Sequence, residues 1–182
     1  MHTKQQIRKE MLAKRKALPA DMKEQYSHEI IQLFLGSKEF QEAETLLCYV
    51  STADEVSTLE LMEIAWKFGK RIGVPKVLGS HEMDFFEISD LKELHVGYKG
   101  ILEPEMKKKL EPDHALVIVP GTVFDRSSRR IGYGGGFYDI YLQKHPMYQK
   151  VAFAFSMQII NEIPAELHDI GMDLIYTEKG KI

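Results

Sequence analysis

The sequence predicts an α/β fold in which a mostly parallel sheet is covered on both faces, within one domain spanning residues 1–182. Three observations lead there. Segments with helical periodicity alternate with short apolar runs. Those runs are nearly continuous in hydrophobicity, as strands buried on both faces are. No repeat, low-complexity stretch or linker divides the chain, and 182 residues suffice for one sizeable core.

Thr3 and Gln6 form a capping-box pattern that starts a helix reaching about Leu18, before Pro19. Asp21 and Glu24 repeat the pattern for a second helix, with an apolar stripe at Tyr26, Ile30, Leu33 and Phe34. Leu46 to Val50 reads as a buried strand. Ser57 and Glu60 then open a helix carrying Leu61, Ile64, Ala65 and Phe68 on one face, and Gly69 stops it. Further strands are expected at Ile72 to Val77, Asp84 to Ile88, Leu116 to Val119, Val151 to Phe155 and Leu174 to Tyr176. The polar segment from His95 to Asp113, with Gly97, Gly100, Pro104 and Pro112, reads as a long surface excursion.

The 44% hydrophobic and 28% charged shares are those of a globular protein. A net charge of −3 gives no reason to expect nucleic acid as a partner. No apolar run approaches the ~18 residues that span a membrane. Met1 to Arg15 is basic but lacks the apolar stretch of a secretory signal, and Glu10 with the capping pattern favours a folded helix over an import leader. The expected compartment is the cytosol. Cys48 is the single cysteine, which excludes an intrachain disulfide and a cysteine-built zinc site; its neighbours Leu46, Leu47 and Val50 make it a buried small hydrophobe.

The chemistry concentrates between Pro120 and Leu142, PGTVFDRSSRRIGYGGGFYDIYL. This stretch follows the Leu116 to Val119 strand and leads into a helix carrying Tyr138, Tyr141 and Leu142. In an open α/β sheet, ligands bind beyond the carboxyl ends of the strands, where such a loop lies. Gly132, Gly134, Gly135 and Gly136 let backbone amides approach an anion, and the helix that follows adds its dipole. Arg129 and Arg130 stand beside them as a phosphate-matching fork. Two familiar phosphate loops are excluded: counting from Gly132, the last glycine of a Gly-x-Gly-x-x-Gly motif would fall on Phe137, and no Gly-Lys-Ser/Thr occurs. A flexible glycine turn is the blander reading, and the strand, helix and arginines around it favour phosphate.

Asp139 follows the loop, where a carboxylate facing phosphates needs a divalent cation between, although a carboxylate that stabilises a helix first turn is also common. Asp173 precedes a late strand as a second candidate for magnesium. Lys4 and Arg8 share a helix face at i, i+4 spacing, but a solvated cationic face explains that equally, and Lys9, Lys14, Arg15 and Lys16 are assigned to solvent. The seven histidines show no metal-ligand spacing, and no nucleophile with a local base stands out.

Taken in order, the Lys4 to Arg8 pattern, Val50-Ser51-Thr52-Ala53-Asp54-Glu55, Gly100-Ile101-Leu102-Glu103-Pro104, the Pro120-Gly121 to Tyr138-Asp139 signature and Asp173-Leu174-Ile175-Tyr176-Thr177-Glu178 resemble the 5-formyltetrahydrofolate cyclo-ligase family. The central signature is the specific one. The sequence departs from the pattern at Ser128, where a glycine is usual, and at Ile140, where an arginine is usual. The resemblance implies a three-layer α/β/α sandwich and an ATP- and magnesium-dependent conversion of 5-formyltetrahydrofolate to 5,10-methenyltetrahydrofolate, with ADP and phosphate released. It implies that Lys4, Gln5, Gln6, Ile7 and Arg8, with Arg130, Ile131, Gly132, Tyr133, Gly134, Gly135, Gly136, Phe137 and Tyr138, bind ATP, Arg130 being catalytic. Val50, Glu55 and the Tyr133 to Phe137 segment would contact folate, and Asp139 and Asp173 would serve magnesium.

The implied chemistry suits the residue types present. A formamide oxygen leaves poorly; phosphorylation makes it a leaving group, N10 attacks the formyl carbon, and phosphate departs. Such a transfer needs positioning and charge neutralisation, not a protein nucleophile. Phe85, Phe86 and Tyr133 are candidates for an aromatic slot around the pteridine. The expected partners are these small molecules alone, bound to a monomer. The rivals are a nucleic-acid-binding module built on the basic first helix, against which the acidic total counts, and a kinase or sugar-phosphate enzyme on a similar sheet.

Overall fold

The computed structural model describes residues 3–164 and 169–182. Its centre is a seven-stranded sheet assembled from β1 (Thr45–Cys48), β2 (Arg71–Gly79), β3 (Glu82–Ile88), β6 (Leu116–Val119), β9 (Gln149–Phe153), β11 (Leu174–Thr177) and β12 (Gly180–Lys181). The order across it is β12-β11-β9-β6-β1-β2-β3. The five strands from β11 to β2 run parallel, with Leu46 level with both Leu116 and Ile72. Each edge is closed by an antiparallel partner, β12 on β11 and β3 on β2. The runs at Ile72 to Val77 and Asp84 to Ile88 are therefore the two arms of one hairpin.

Alternate side chains of the central strands enter two separate cores, which makes the architecture three-layered. Leu46, Cys48, Ile72, Leu116 and Ile118 join Ile30, Ile31 and Phe34 of α2 (Ala20–Leu35), Phe40 of α3 (Lys38–Glu42) and Leu61 and Ala65 of α4 (Leu59–Lys67). Leu47, Val117, Val119, Ala152 and Ile175 join Tyr141 and Leu142 of α5 (Phe137–Lys144) on the opposite face. Because both faces are apolar, period-two polarity never appears in these strands. Cys48 is fully buried, and burial pushes its thiol pKa far above the ordinary range, so it is an inert filler.

The first helix, α1 (Lys4–Ala17), begins as predicted: Thr3 Oγ1 accepts from the Gln6 amide, and Gln6 Oε1 accepts from the Thr3 amide at 2.8 Å. The other two capping boxes do not form. Helix α2 starts after Pro19, with Asp21 already inside its first turn, and α4 starts after Thr58, whose hydroxyl instead donates to the Tyr49 carbonyl at 2.6 Å. Two stripe positions also differ. Leu33 is 45% exposed while Ile31 is buried, and Phe68 is the α4 C-cap, 60% exposed, with its ring edge-on to Phe40. In both helices the packing face is rotated by about one residue from the periodic guess.

A second, three-stranded sheet of β7 (Val123–Asp125), β8 (Arg130–Ile131) and β10 (Ile159–Ile160) lies under α1, whose Ile7 and Met11 pack on Val123 and Ile131. The β7–β8 turn is organised by the fully buried Asp125, which accepts from the Ser127, Arg129 and Ile163 amides and from Arg129 Nε at 2.8 Å. Within it Ser128 has φ 61°, in the left-handed region that favours glycine. A non-glycine residue there costs about 1–2 kcal/mol, against which glycine's extra unfolded-state entropy costs about 0.5–1 kcal/mol. Ser128→Gly should therefore raise the melting temperature slightly, by about 2–4 °C for a gain of ~1 kcal/mol in a domain of this size. An unchanged or lowered melting temperature would show that the serine is not strained.

Candidate functional site

The carboxyl ends of β1 and β6 release Tyr49, Val50 and Pro120 into the wall of a cleft of about 560 Å³. That is within the usual range for small-molecule sites, about 300–1,000 Å³. Helix α1 supplies Lys4 and Arg8, the β1–α4 loop Glu55, the β2–β3 hairpin Pro75, Val77 and Met83, and the central signature every residue from Arg130 to Asp139. The cleft thus gathers residues from nearly the full length of the chain, at the sheet edge where open α/β folds bind ligands.

The glycine loop between β8 and α5 is held from two sides. Arg8 Nε donates to the Gly132 carbonyl at 2.8 Å, and a ring nitrogen of His81, at the tip of the β2–β3 hairpin, lies 2.7 Å from the Gly135 carbonyl. Gly134 and Gly136 have φ 96° and 70°, conformations a side chain would strain, and Gly136 caps α5. With its carbonyls engaged outward, the loop leads into the positive end of α5 at the cleft wall. The two outer nitrogens of Arg8 make no protein hydrogen bond among the described residues and stand beside Gly134.

Lys4 Nζ pairs with Asp169 at 2.6 Å, and Arg130 Nη2 with Asp139 at 2.7 Å, both pairs at the cleft. Arg130 is 7% exposed; Nη1 donates to the Pro120 carbonyl, and the buried Nε has no partner among the described residues. Beside it the Tyr138 hydroxyl is also buried and has no partner among the described residues, and burial holds its pKa well above the ordinary range, with the Glu55 carboxylate adding to the shift. Buried donors of this kind normally have partners, so each is suited to a polar ligand atom.

Glu55 is held by the Thr52 amide and hydroxyl at Oε2 and by the Tyr133 hydroxyl at Oε1, 2.6 Å away. Burial and that carboxylate push the Tyr133 pKa far upward, so its proton stays in place. Tyr133 also accepts from Arg15, which the sequence reading left in solvent. Arg15 is 3% exposed, and its guanidinium lies over the Tyr133 ring. Burial of that arginine face has no local signal, because its partners Gly121 and Tyr133 are more than a hundred residues away.

Several predicted residues lie elsewhere. Gln6 is occupied by the α1 cap, Ile7 packs beneath the helix, and Gln5 is exposed; none lines the cleft. Phe85 and Phe86 are buried in β3 and do not reach the cleft; among the aromatic-slot candidates only Tyr133 does. Asp173 precedes β11 at the amino edge of the sheet, where it accepts from the Lys150 amide at 2.7 Å and pairs with Lys150 Nζ at 3.1 Å. The structure therefore separates it from Asp139 by the length of a strand. Ile140, the second departure from the family pattern, is on the outside of α5.

The His95 to Asp113 segment is more than an excursion. Its β4 (Leu94–Val96) and β5 (Leu102–Pro104) form a hairpin that brings Tyr98, Lys99, Ile101 and Glu103 to the cleft, and Leu110 is buried. Glu103 is buried too, beside Lys76 Nζ at 3.6 Å, and Gly97 packs so closely on it that any side chain there would collide. The polar composition of this segment concealed its contribution.

Among the described residues no group of three His, Cys, Asp or Glu side chains is placed to hold a metal ion. Magnesium bound with a nucleotide needs only one or two protein carboxylates, because phosphates and water complete its shell. Asp139, at the mouth of α5 and half-exposed, fits such a phosphate-borne ion; a protein-built cage does not fit this donor set.

The 5-formyltetrahydrofolate cyclo-ligase family model matches residues 1–178. A Schizosaccharomyces pombe protein described as a probable 5-formyltetrahydrofolate cyclo-ligase is 34% identical over 145 residues, covering 70% of this chain and 71% of that protein. The 5-formyltetrahydrofolate cyclo-ligase of Escherichia coli (strain K12) is 28% identical, covering 90% and 94%. The structure of Aquifex aeolicus 5,10-methenyltetrahydrofolate synthetase superposes with a TM-score of 0.86 at 30% identity, covering 98% of this chain and 91% of that one. A 5,10-methenyltetrahydrofolate synthetase from Mycoplasma pneumoniae gives 0.76 at 26% identity, covering 97% and 99%. A family match along almost the entire chain and a fold shared with two synthetases leave one conclusion: the chain belongs to the 5-formyltetrahydrofolate cyclo-ligase family.

Proposed function

We propose that this chain catalyses the ATP- and magnesium-dependent cyclisation of 5-formyltetrahydrofolate to 5,10-methenyltetrahydrofolate, releasing ADP and phosphate. The observation that carries the reading is the convergence, in a member of this family, of Arg8, the glycine loop, Arg130, Val50 and Glu55 in the lining of one cleft. The phosphates of ATP would lie against the Gly132 to Gly136 backbone and the outer nitrogens of Arg8, with Lys4 nearby. The folate would lie beside Val50, with Glu55 available to the polar edge of the pteridine and Tyr133 to its ring.

In the first step the formyl oxygen takes the terminal phosphoryl group and ADP leaves. N10 then forms the new bond to the formyl carbon and loses its proton, while the carbon–oxygen bond breaks and phosphate departs. Neither step calls for a protein nucleophile; both require charge to be neutralised where it develops. Arg130, buried and rigidly placed by Pro120 and Asp139, is the catalytic candidate for that task. Magnesium, carried by the phosphates and contacted by Asp139, would supply further neutralisation; Asp173 has no part because of its position. The reading takes the protein as a monomer, and no helix among the described residues is long and apolar enough to cross a membrane. A cytosolic location accords with the reading.

Mixing the protein with 5-formyltetrahydrofolate and Mg-ATP should give methenyl absorbance with one ADP per product. Full turnover in excess chelator, or product without ADP, would contradict the reading.

Asp139→Asn separates metal contact from helix stabilisation. The dipole contribution of a first-turn carboxylate is about 0.3–1 kcal/mol, and asparagine also leaves the buried Arg130 without its charged partner, so apo melting should fall by more than the dipole alone would give. Turnover should fall at least about tenfold, equivalent to ~1.4 kcal/mol in the barrier, and the magnesium requirement should rise. A magnesium titration of the rate that matches wild type would return Asp139 to a structural role.

A further inference from the structure

Among the basic residues of the last turn of α1, Lys14 and Lys16 are solvated, but Arg15 between them is buried on the same face as Met11. A guanidinium removed from water needs compensation, usually a carboxylate. Arg15 has no carboxylate within ion-pair distance among the described residues. Among the described residues it donates to the Gly121 carbonyl at 3.3 Å and to the Tyr133 hydroxyl at 2.5 Å, and its buried Nε has no partner. Core packing alone does not account for a charged group in that place, since an apolar side chain of similar volume would fill it without the desolvation penalty.

The arrangement has one directional consequence. Arginine can only donate. The Tyr133 oxygen must therefore accept from Arg15, and its single proton is committed to Glu55 Oε1 at 2.6 Å. The other Glu55 oxygen is fixed by the Thr52 amide and hydroxyl. A chain of donors thus runs from α1 through Tyr133 of the glycine loop to the Glu55 carboxylate of the β1–α4 loop. We infer that Arg15 is a positioning residue that, through Tyr133, sets the orientation of Glu55 for recognition of the folate ring. It touches no substrate itself. The inference rests on the proposed placement of folate against Glu55, and it distinguishes Arg15 from Arg8, which holds the loop backbone at Gly132.

The test measures equilibrium binding of 5-formyltetrahydrofolate, and separately of Mg-ATP, to wild type, Arg15→Lys, Tyr133→Phe and the double variant, with apo melting curves alongside. Tyr133 is 48% exposed, and the melting curves show whether loss of its hydroxyl, an acceptor for the buried Arg15, disturbs the fold. Each single variant should bind the folate at least tenfold more weakly, with ATP affinity within about threefold of wild type. The double variant should be no more than about twofold worse than the weaker single one, because both changes cut the same chain. Losses that multiply in the double variant, or folate affinity within twofold of wild type in Arg15→Lys, would overturn the inference while leaving the proposed function standing. Absence of folate binding to wild type would instead overturn the proposed function on which the inference rests.

Discussion

The Arg8 Nε bond to the Gly132 carbonyl joins the first turns of the chain to the loop that carries its chemistry. A run of glycines with two left-handed residues has no preferred shape of its own, and ordering it costs about 1–2 kcal/mol of backbone entropy per residue. Here the conformation is imposed by neighbours: Arg8 on one flank, His81 on the other, and the start of α5 behind. The helix that provides Arg8 is in turn seated by Ile7 and Met11 on the small sheet of β7, β8 and β10, from which the loop departs. Helix, small sheet and loop therefore form one unit, and the large sheet supplies the platform beneath it.

Charge in the cleft is close to balanced. Lys4 is matched by Asp169 and Arg130 by Asp139, while Glu55 and Glu103 offset Arg8 and Lys99 in number among the lining residues. A polyanionic nucleotide would meet little net attraction from such a set, so the binding must rely on oriented donors more than on bulk potential. That explains why a chain of net charge −3 can carry a phosphate site without a basic surface. It also explains the value of a divalent ion brought with the phosphates, since Asp139 would otherwise repel them.

The sequence made the local features legible. The Thr3–Gln6 capping box, the buried strands and the glycine loop before α5 each depend on residues a few positions apart and appear near where the pattern placed them, although the β7–β8 hairpin between Val119 and the loop was not expected. Features set by distant contacts were not legible. Arg15 resembled Lys14 and Lys16 until the loop folded over it, and the Tyr98 to Glu103 hairpin looked like solvent-facing chain because its contribution to the cleft lies in its fold. Periodicity also misplaced Leu33 and Phe68, since helical faces are selected by the sheet they cover. Asp173 shows the converse: it stands beside the motif-like ending of the chain, yet its strand enters the sheet from the edge opposite the cleft.

The central claim is that α1 does more than cover the small sheet and directly completes the nucleotide site. Calorimetric titration of Mg-ATP into Arg8→Ala tests this most directly. Loss of a charge-assisted contact should weaken binding by about 1.5–3 kcal/mol, roughly ten- to 150-fold, with folate affinity changing far less. Nucleotide affinity equal to wild type in a variant with native melting would contradict the account and leave Arg8 with only its hydrogen bond to the loop backbone.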